Sequence, residues 1–165
     1  MTLILGVDIG TTTITAIAVD ADSGRIVEST TTKNDARYTD RPIGRSEWDA
    51  DRIISQAMQC IKDVVTRLDS RASQIAGIGM TGQQHGMVLV DPQLNPVSPY
   101  INWQDQRGNE VDDNGIPLIH DLTERLGDDQ YRTHGCFLRT GFMNVTLHWL
   151  NTRGQLPGNC RAAFI

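Results

Sequence analysis

The chain has 165 residues, with 15 Lys and Arg against 20 Asp and Glu, a formal net charge of −5. Hydrophobic residues make up 39% and charged residues 21%, the balance of an ordinary globular protein, which excludes collagen-like, low-complexity and disulfide-scaffold classes. No window approaches the ~18 unbroken apolar residues of a membrane span, and an acidic chain is a poor match to a nucleic-acid backbone.

At about 150 residues per domain the length suits one domain, and a chain of this size buries about 70% of its unfolded surface without staples. Met1 to Gly10 has no basic leader region and Asp8 interrupts its apolar run, so the sequence reads as a cytoplasmic protein without a signal peptide. Cys60, Cys136 and Cys160 are odd in number and form no CxxC, which points to reduced thiols. His134-Gly135-Cys136 offers two metal ligands, but no second pair lies at zinc spacing.

In chain order, Leu3 to Asp8 is an apolar run and reads as a buried strand. A turn at Ile9 to Thr12 leads into a second strand over Thr13 to Asp20, with Ile14, Ala16 and Ala18 alternating against Thr15, Ile17 and Val19. Asp22-Ser23-Gly24 is a turn, and Arg25 to Lys33 is a third, β-branched strand. Tight turns imply an antiparallel meander. Asn34 to Trp48 reads as a loop, closed by a capping box over Ser46 to Asp49. Ile53, Ile54, Ala57, Met58, Ile61, Val64, Val65 and Leu68 then recur at helical spacing. Ile75 to Met80 returns to a strand, giving the order β-β-β-α-β.

Thr81 to Gly86 reads as a polar loop, Met87 to Val90 as a short strand and Pro96 to Trp103 as an extended segment. After a turn at Asn114-Gly115, Pro117 suits a helix start, and Leu118, Ile119, Leu122 and Leu126 form a stripe that stops at Gly127. Thr140 is the expected cap of a last helix to about Arg153. Ala163-Phe164-Ile165 reads as the start of another apolar segment, so the chain is expected to be part of a longer protein.

Four motifs carry candidate chemistry. Asp8-Ile9-Gly10-Thr11-Thr12-Thr13 sits in a hairpin. Glycine lets a phosphate approach the backbone, turn amides and threonine hydroxyls bind anions, and a strand-end aspartate can hold hydrated Mg²⁺. The same residues also make a plain β-turn. Gly77-Ile78-Gly79-Met80-Thr81-Gly82 has dinucleotide-site spacing, but a dinucleotide needs a helix to open there, and Gly86 to Asp91 reads extended. Gly82-Gln83-Gln84-His85-Gly86 gathers amides and an imidazole suited to sugar hydroxyls, or forms a polar turn. In Asn102-Trp103-Gln104-Asp105-Gln106-Arg107, Trp103 can stack on a sugar and Asp105 can accept from hydroxyls. The competing reading there is an interior tryptophan beside an Asp–Arg salt bridge.

The order and spacing of these motifs resemble the N-terminal part of the FGGY family of carbohydrate kinases. The Asp-x-Gly-Thr-Thr hairpin, the Gly-Gln-x-His-Gly loop and the Trp-x-Asp-x-Arg segment all stand in this sequence, and Ser46-Glu47-Trp48-Asp49 resembles the segment before the family's first long helix. Within the family, Trp103 to Arg107 and Thr140-Gly141-Phe142 look most like the sedoheptulose kinases, with the xylulose kinases sharing the same loops. Gln84 stands where many members have Met, and Thr15 where many have Lys.

The resemblance implies an α/β, ribonuclease H-like (actin-like ATPase) domain with a mixed sheet. It implies that residues 1–165 are the N-terminal part of a first kinase domain, with a second domain and the catalytic base beyond Ile165. It implies ATP and Mg as cofactors, with Asp8, Gly10, Thr11, Thr12 and Thr13 at the phosphates, and Asp8 holding the metal through water. Gln84, His85, Trp103 and Asp105 are the implied sugar contacts. The expected partner is a small sugar, with neither nucleic acid nor membrane, and a homodimer is entertained for the full-length protein. A non-catalytic sugar sensor, a purely structural domain and a dinucleotide enzyme are the rival classes.

Overall fold

The computed structural model describes residues 1–165 except Asp128, Gln130, Thr133 and His134. The chain divides into two compact units. One comprises Met1–Arg37 and Asp49–Gln83, the other Tyr38–Trp48 and Gln84–Ile165.

The first unit is a four-stranded sheet with one long helix. Strands β1 (Leu3–Ile9), β2 (Thr13–Asp20) and β3 (Ile26–Lys33) form the expected antiparallel meander. Helix α1 (Ala50–Leu68) then carries the chain back to β5 (Ile75–Gly82), which pairs parallel to β1. A parallel pairing needs such a long crossover. The sheet order is β3-β2-β1-β5, a mixed α/β arrangement. Beyond the expected β-β-β-α-β order, a 3₁₀ segment (Asp69–Gln74) joins α1 to β5, and the two-residue strand β4 (Glu47–Trp48) belongs to the other unit.

Alternation decides the core. Leu3, Leu5 and Val7 of β1 and Ile14, Ala16 and Ala18 of β2 are buried with one stripe of α1. That stripe is Ile53, Ala57, Cys60, Val64 and Leu68, at steps of three and four. Ile54 and Met58, expected in the same face, are 55% and 59% exposed, while Cys60 takes a core place. The reason is angular: each stands one residue past a stripe position, rotated by about 100° away from the sheet.

The cap of α1 corrects the sequence reading. Asp49, not Ser46, is the N-cap, and its Oδ1 accepts from the Arg52 backbone N–H at 2.9 Å. Ser46 lies earlier and is buried, its hydroxyl accepting from Trp48 Nε1 at 3.2 Å. β5 runs through all three glycines of the GxGxxG spacing, and the next element is a strand, so the helix that a dinucleotide site requires does not follow.

In the second unit, β4 pairs antiparallel with β7 (Tyr100–Ile101), and β6 (Val88–Val90) with β8 (Ala162–Phe164). Two helices of this unit are described: α2 (Leu118–Leu126), which stops at Gly127 as expected, and α3 (Met143–Thr152). The core is Met87, Leu89, Ile101, Trp149 and Leu150. Thr140 does not cap α3. Phe142 occupies that position and supplies no side-chain cap, while Thr140 is drawn off to other partners. All three cysteines are free thiols. Among the described residues no helix is long and apolar enough to cross a membrane.

Candidate functional site

In the first unit the candidate site is the β1–β2 turn. Leu3, Leu5 and Val7 point under α1, so Ile4, Gly6 and Asp8 line the opposite sheet face. Asp8 is exposed at the strand end, in register with Thr15 of β2 and Thr81 of β5. A groove of about 390 Å³ runs along this face past Ile4, Gly6 and Ile17 to Asp8, Thr15 and Thr81. The turn beyond Asp8 is tight. The Gly10 N–H donates to the Thr13 carbonyl at 2.9 Å, and a Cβ on Gly10 would lie 2.8 Å from that oxygen. Only glycine fits.

Two residues hold the turn: Asn34, outside the four motifs, and Gln83, which the motif reading groups with the sugar-binding amides. Asn34 is buried; its Nδ2 donates to the Gly10 carbonyl at 2.9 Å, and its backbone N–H donates to the Thr12 carbonyl at 2.9 Å. The Gln83 N–H donates to the Ile9 carbonyl at 3.1 Å, and Gln83 Oε1 accepts from the Thr11 hydroxyl at 3.0 Å. Thr11 therefore turns its hydroxyl hydrogen inward, and Thr12 and Thr13 are the exposed hydroxyls of the turn. No local signal marks Asn34 or Gln83 for this work, because each is distant in sequence from what it ties.

Whether this turn suits Mg²⁺ and phosphate is answered by its donor set. An exposed carboxylate beside a backbone turn too close for any Cβ matches a hydrated cation, which keeps several waters and takes one or two carboxylates. Among the described residues no cluster of three or more His, Cys, Asp or Glu could hold a metal outright. The His134-Cys136 pair cannot be placed, since His134 lies outside the described residues.

In the second unit, Gln84 and His85 are exposed ahead of the buried Gly86. Trp103 is 48% exposed, as a stacking platform must be. Asp105 is different. It is 0% exposed, and its carboxylate is filled. Oδ1 accepts from Arg107 Nε at 2.7 Å and from the Arg107 backbone N–H at 3.0 Å. Oδ2 accepts from Arg107 Nη2 at 3.0 Å and from the Ser46 N–H at 2.8 Å. A carboxylate has about four acceptor positions, so none is left for a sugar hydroxyl. The expectation that Asp105 contacts the sugar is corrected: the Asp–Arg salt bridge is what the structure contains.

Arg107 extends this buried network by donating from Nη2 to Glu47 Oε1 at 2.7 Å. Its charge is kept despite burial, which opposes it, because Asp105 and Glu47 hold the guanidinium protonated. Trp149 lies beneath both Arg45 and Arg107, 4.3 and 5.1 Å from the guanidinium carbons to its ring centroid, and its Nε1 donates to Glu110 at 2.8 Å. Arg45 also pairs with Glu110.

The turn Thr140-Gly141-Phe142 ties the exposed residues together. The Thr140 hydroxyl donates to the Asp105 carbonyl at 2.9 Å and accepts from the Gly108 N–H at 3.2 Å. Gly141, at φ 81°, packs on the Trp103 carbonyl so closely that a Cβ would collide with it. Phe142 stacks on His85, with ring centroids 4.2 Å apart and planes 9° from parallel.

Residues 3–156 match the FGGY family of carbohydrate kinases, N-terminal domain. The chain belongs to this family. It is 31% identical over 157 residues to a xylulose kinase of Staphylococcus xylosus, aligned over 94% of this chain and 30% of that one. It is 37% identical over 149 residues to a glycerol kinase of Oceanobacillus iheyensis, aligned over 89% of this chain and 28% of that one. The crystal structure of gluconate kinase from Lactobacillus acidophilus superimposes with a TM-score of 0.82 at 22% identity, covering 99% of this chain and 31% of that one. At that identity the likeness establishes the fold, the α/β, actin-like ATPase fold of FGGY kinases. This FGGY chain spans less than a third of the length of the relatives it matches, 30% and 28% of these two.

Proposed function

We propose that this chain is the N-terminal part of the first domain of an ATP-dependent sugar kinase, and that its acceptor is a ketose. The observation that carries the reading is the β1–β2 turn. An exposed Asp8 precedes a glycine that admits no side chain, with the Thr12 and Thr13 hydroxyls exposed beside it, in a chain of the FGGY family. Asp8 would hold Mg²⁺ through water, and Mg²⁺ when bound supplies charge neutralisation on the phosphates. Gly10, Thr11, Thr12 and Thr13 cradle the phosphate chain. Gln84, His85 and Trp103 bind and orient the sugar. Asp105 acts behind them, fixing the Trp103 loop.

The reaction breaks the bond between the β-bridging oxygen and the γ-phosphorus of ATP and forms one from the sugar hydroxyl oxygen to that phosphorus. The hydroxyl proton leaves to a base, which in this reading lies beyond Ile165, as does the adenosine pocket. Such transfers depend on positioning and charge stabilisation more than on covalent chemistry. A general base contributes about 10²- to 10⁴-fold, so the 165 residues alone are expected to be nearly inactive.

Similarity to xylulose kinases favours xylulose as the acceptor. Sedoheptulose is the second reading, supported by the Trp103-Gln104-Asp105 segment. The test is ADP release by the full-length protein with MgATP and xylulose, sedoheptulose, ribulose or glycerol. Release with a ketose supports the reading and selects the sugar. No release with any of the four rejects it in favour of a sugar-sensing relative.

A further inference from the structure

His85 has three unusual features. Its backbone lies at φ 71°, in the left-handed region that residues with a Cβ rarely adopt. Its side chain is exposed, where an unsupported imidazole exchanges freely among rotamers. The residue after it is seated so closely that a Cβ on Gly86 would lie 2.5 Å from the Tyr100 hydroxyl and 2.8 Å from the Ile101 carbonyl. What meets the ring is Phe142, in a near-parallel stack.

Phe142 is itself an exception to local rules. It occupies the N-cap of α3, a position that favours Ser, Thr, Asp or Asn, and it makes no side-chain cap. A helix start that forgoes its cap for an aromatic ring breaks a local preference, and such breaks cluster at functional sites. Its backbone is pinned on both sides. The Phe142 N–H donates to the Arg139 carbonyl at 3.2 Å, and the Phe142 carbonyl accepts from the Thr146 N–H at 2.9 Å. The preceding Gly141 is seated against Trp103. One turn thus sets the backbone under Trp103 and the plane of the His85 ring.

We infer that Phe142 is a positioning residue for sugar recognition, holding the His85 imidazole in one orientation beside the loop that presents Trp103. This rests on the sugar-kinase reading above. Phe142 acts through His85 and does not touch the sugar.

Two measurements test it in the full-length protein. In the first, with ¹³C-labelled histidine, the His85 ring protons are expected upfield from ring current in the wild type and in Phe142→Tyr, and shifted downfield in Phe142→Leu. In the second, with MgATP and xylulose, Phe142→Leu is expected to raise the KM for the ketose about ten-fold, the scale of one aromatic pair, and to leave the KM for MgATP unchanged. Phe142→Tyr is expected to restore it. In a His85→Ala background Phe142→Leu is expected to add nothing. An unshifted His85 signal in the wild type overturns the stack even if Phe142→Leu fails to fold. An equal KM penalty with and without His85 makes Phe142 a general structural residue and overturns the inference. A wild type that turns over no ketose removes the kinase reading and this inference with it, whereas turnover with no effect of Phe142→Leu removes the inference alone.

Discussion

Asp105 and Arg107 stand two residues apart and form a bidentate pair: Oδ1 takes Nε at 2.7 Å while Oδ2 takes Nη2 at 3.0 Å, with both side chains almost wholly removed from water. Breaking a buried pair by removing one member leaves an uncompensated charge, at about 3–5 kcal/mol. Asp105→Ala leaves Arg107 with Glu47 and orphans the Ser46 N–H, so it should lower unfolding stability by about 3 kcal/mol, the low end of that range. Urea titration measures it. A variant as stable as the wild type but with a raised sugar KM would return Asp105 to the ligand set.

Asp8 should behave in the opposite way. It is exposed at a strand end, so its removal opens no core cavity. Asp8→Ala in the full-length protein is expected to cut turnover by about 10²-fold or more, the scale of losing a preorganised electrostatic contact. The melting temperature should move little. Unchanged turnover would take Asp8 out of the mechanism.

Tyr100 predicts an alkaline signature. Burial pushes its phenol from an ordinary 10.0 up to about 12, and its hydroxyl finds no hydrogen-bond partner among the described residues. Between those two values the unfolded chain has lost the proton and the folded chain retains it, so stability falls as pH rises. Relative to Tyr100→Phe, the wild type should keep a constant stability difference well below pH 10 and lose about a further 2 kcal/mol by pH 12. At neutral pH Tyr100→Phe should be neutral or stabilising by about 1 kcal/mol, since it removes an unsatisfied hydroxyl. Parallel curves for the two proteins through pH 10–12 would show that the phenol is not held out of water.

The two candidate caps of α1 separate cleanly. Asp49→Ala should cost about 1 kcal/mol through loss of the bond to the Arg52 N–H. Asp49→Asn, which keeps an acceptor, should recover most of that. Ser46→Ala should leave the start of α1 intact, because its hydroxyl serves Trp48 instead. Hydrogen exchange at the Arg52 amide reads the difference directly: protection lost in Ser46→Ala and kept in Asp49→Ala would reverse the assignment.

Much of the first unit could be read from residue order because its determinants are local. Alternation in β2 separates Ile14, Ala16 and Ala18 from Thr15, Ile17 and Val19, and the structure buries the first set under α1. Steps of three and four mark α1, but two neighbouring apolar stripes leave the packed face ambiguous: the pattern puts Ile54 and Met58 inward, whereas the structure exposes both and buries Cys60. The tight turn at Gly10 was legible for the same reason: its steric conflict is with Thr13, three residues away.

The reach of the sequence ended where contacts become long-range. Periodicity and turn chemistry state what a segment becomes, not what it meets. Thr11 and Gln83 bond across 72 residues, and Ser46 and Asp105 across 59. The sequence alone determined a β-β-β-α-β chain with a tight Asp-Ile-Gly hairpin and two polar loops, one carrying a tryptophan, because torsional preference and amphipathic period act over a few residues. Only the tertiary structure decided that Asp105 faces Arg107 rather than solvent, that Asn34 and Gln83 brace the hairpin, and that Phe142 lies on His85. Burial and stacking depend on which distant segments close on one another.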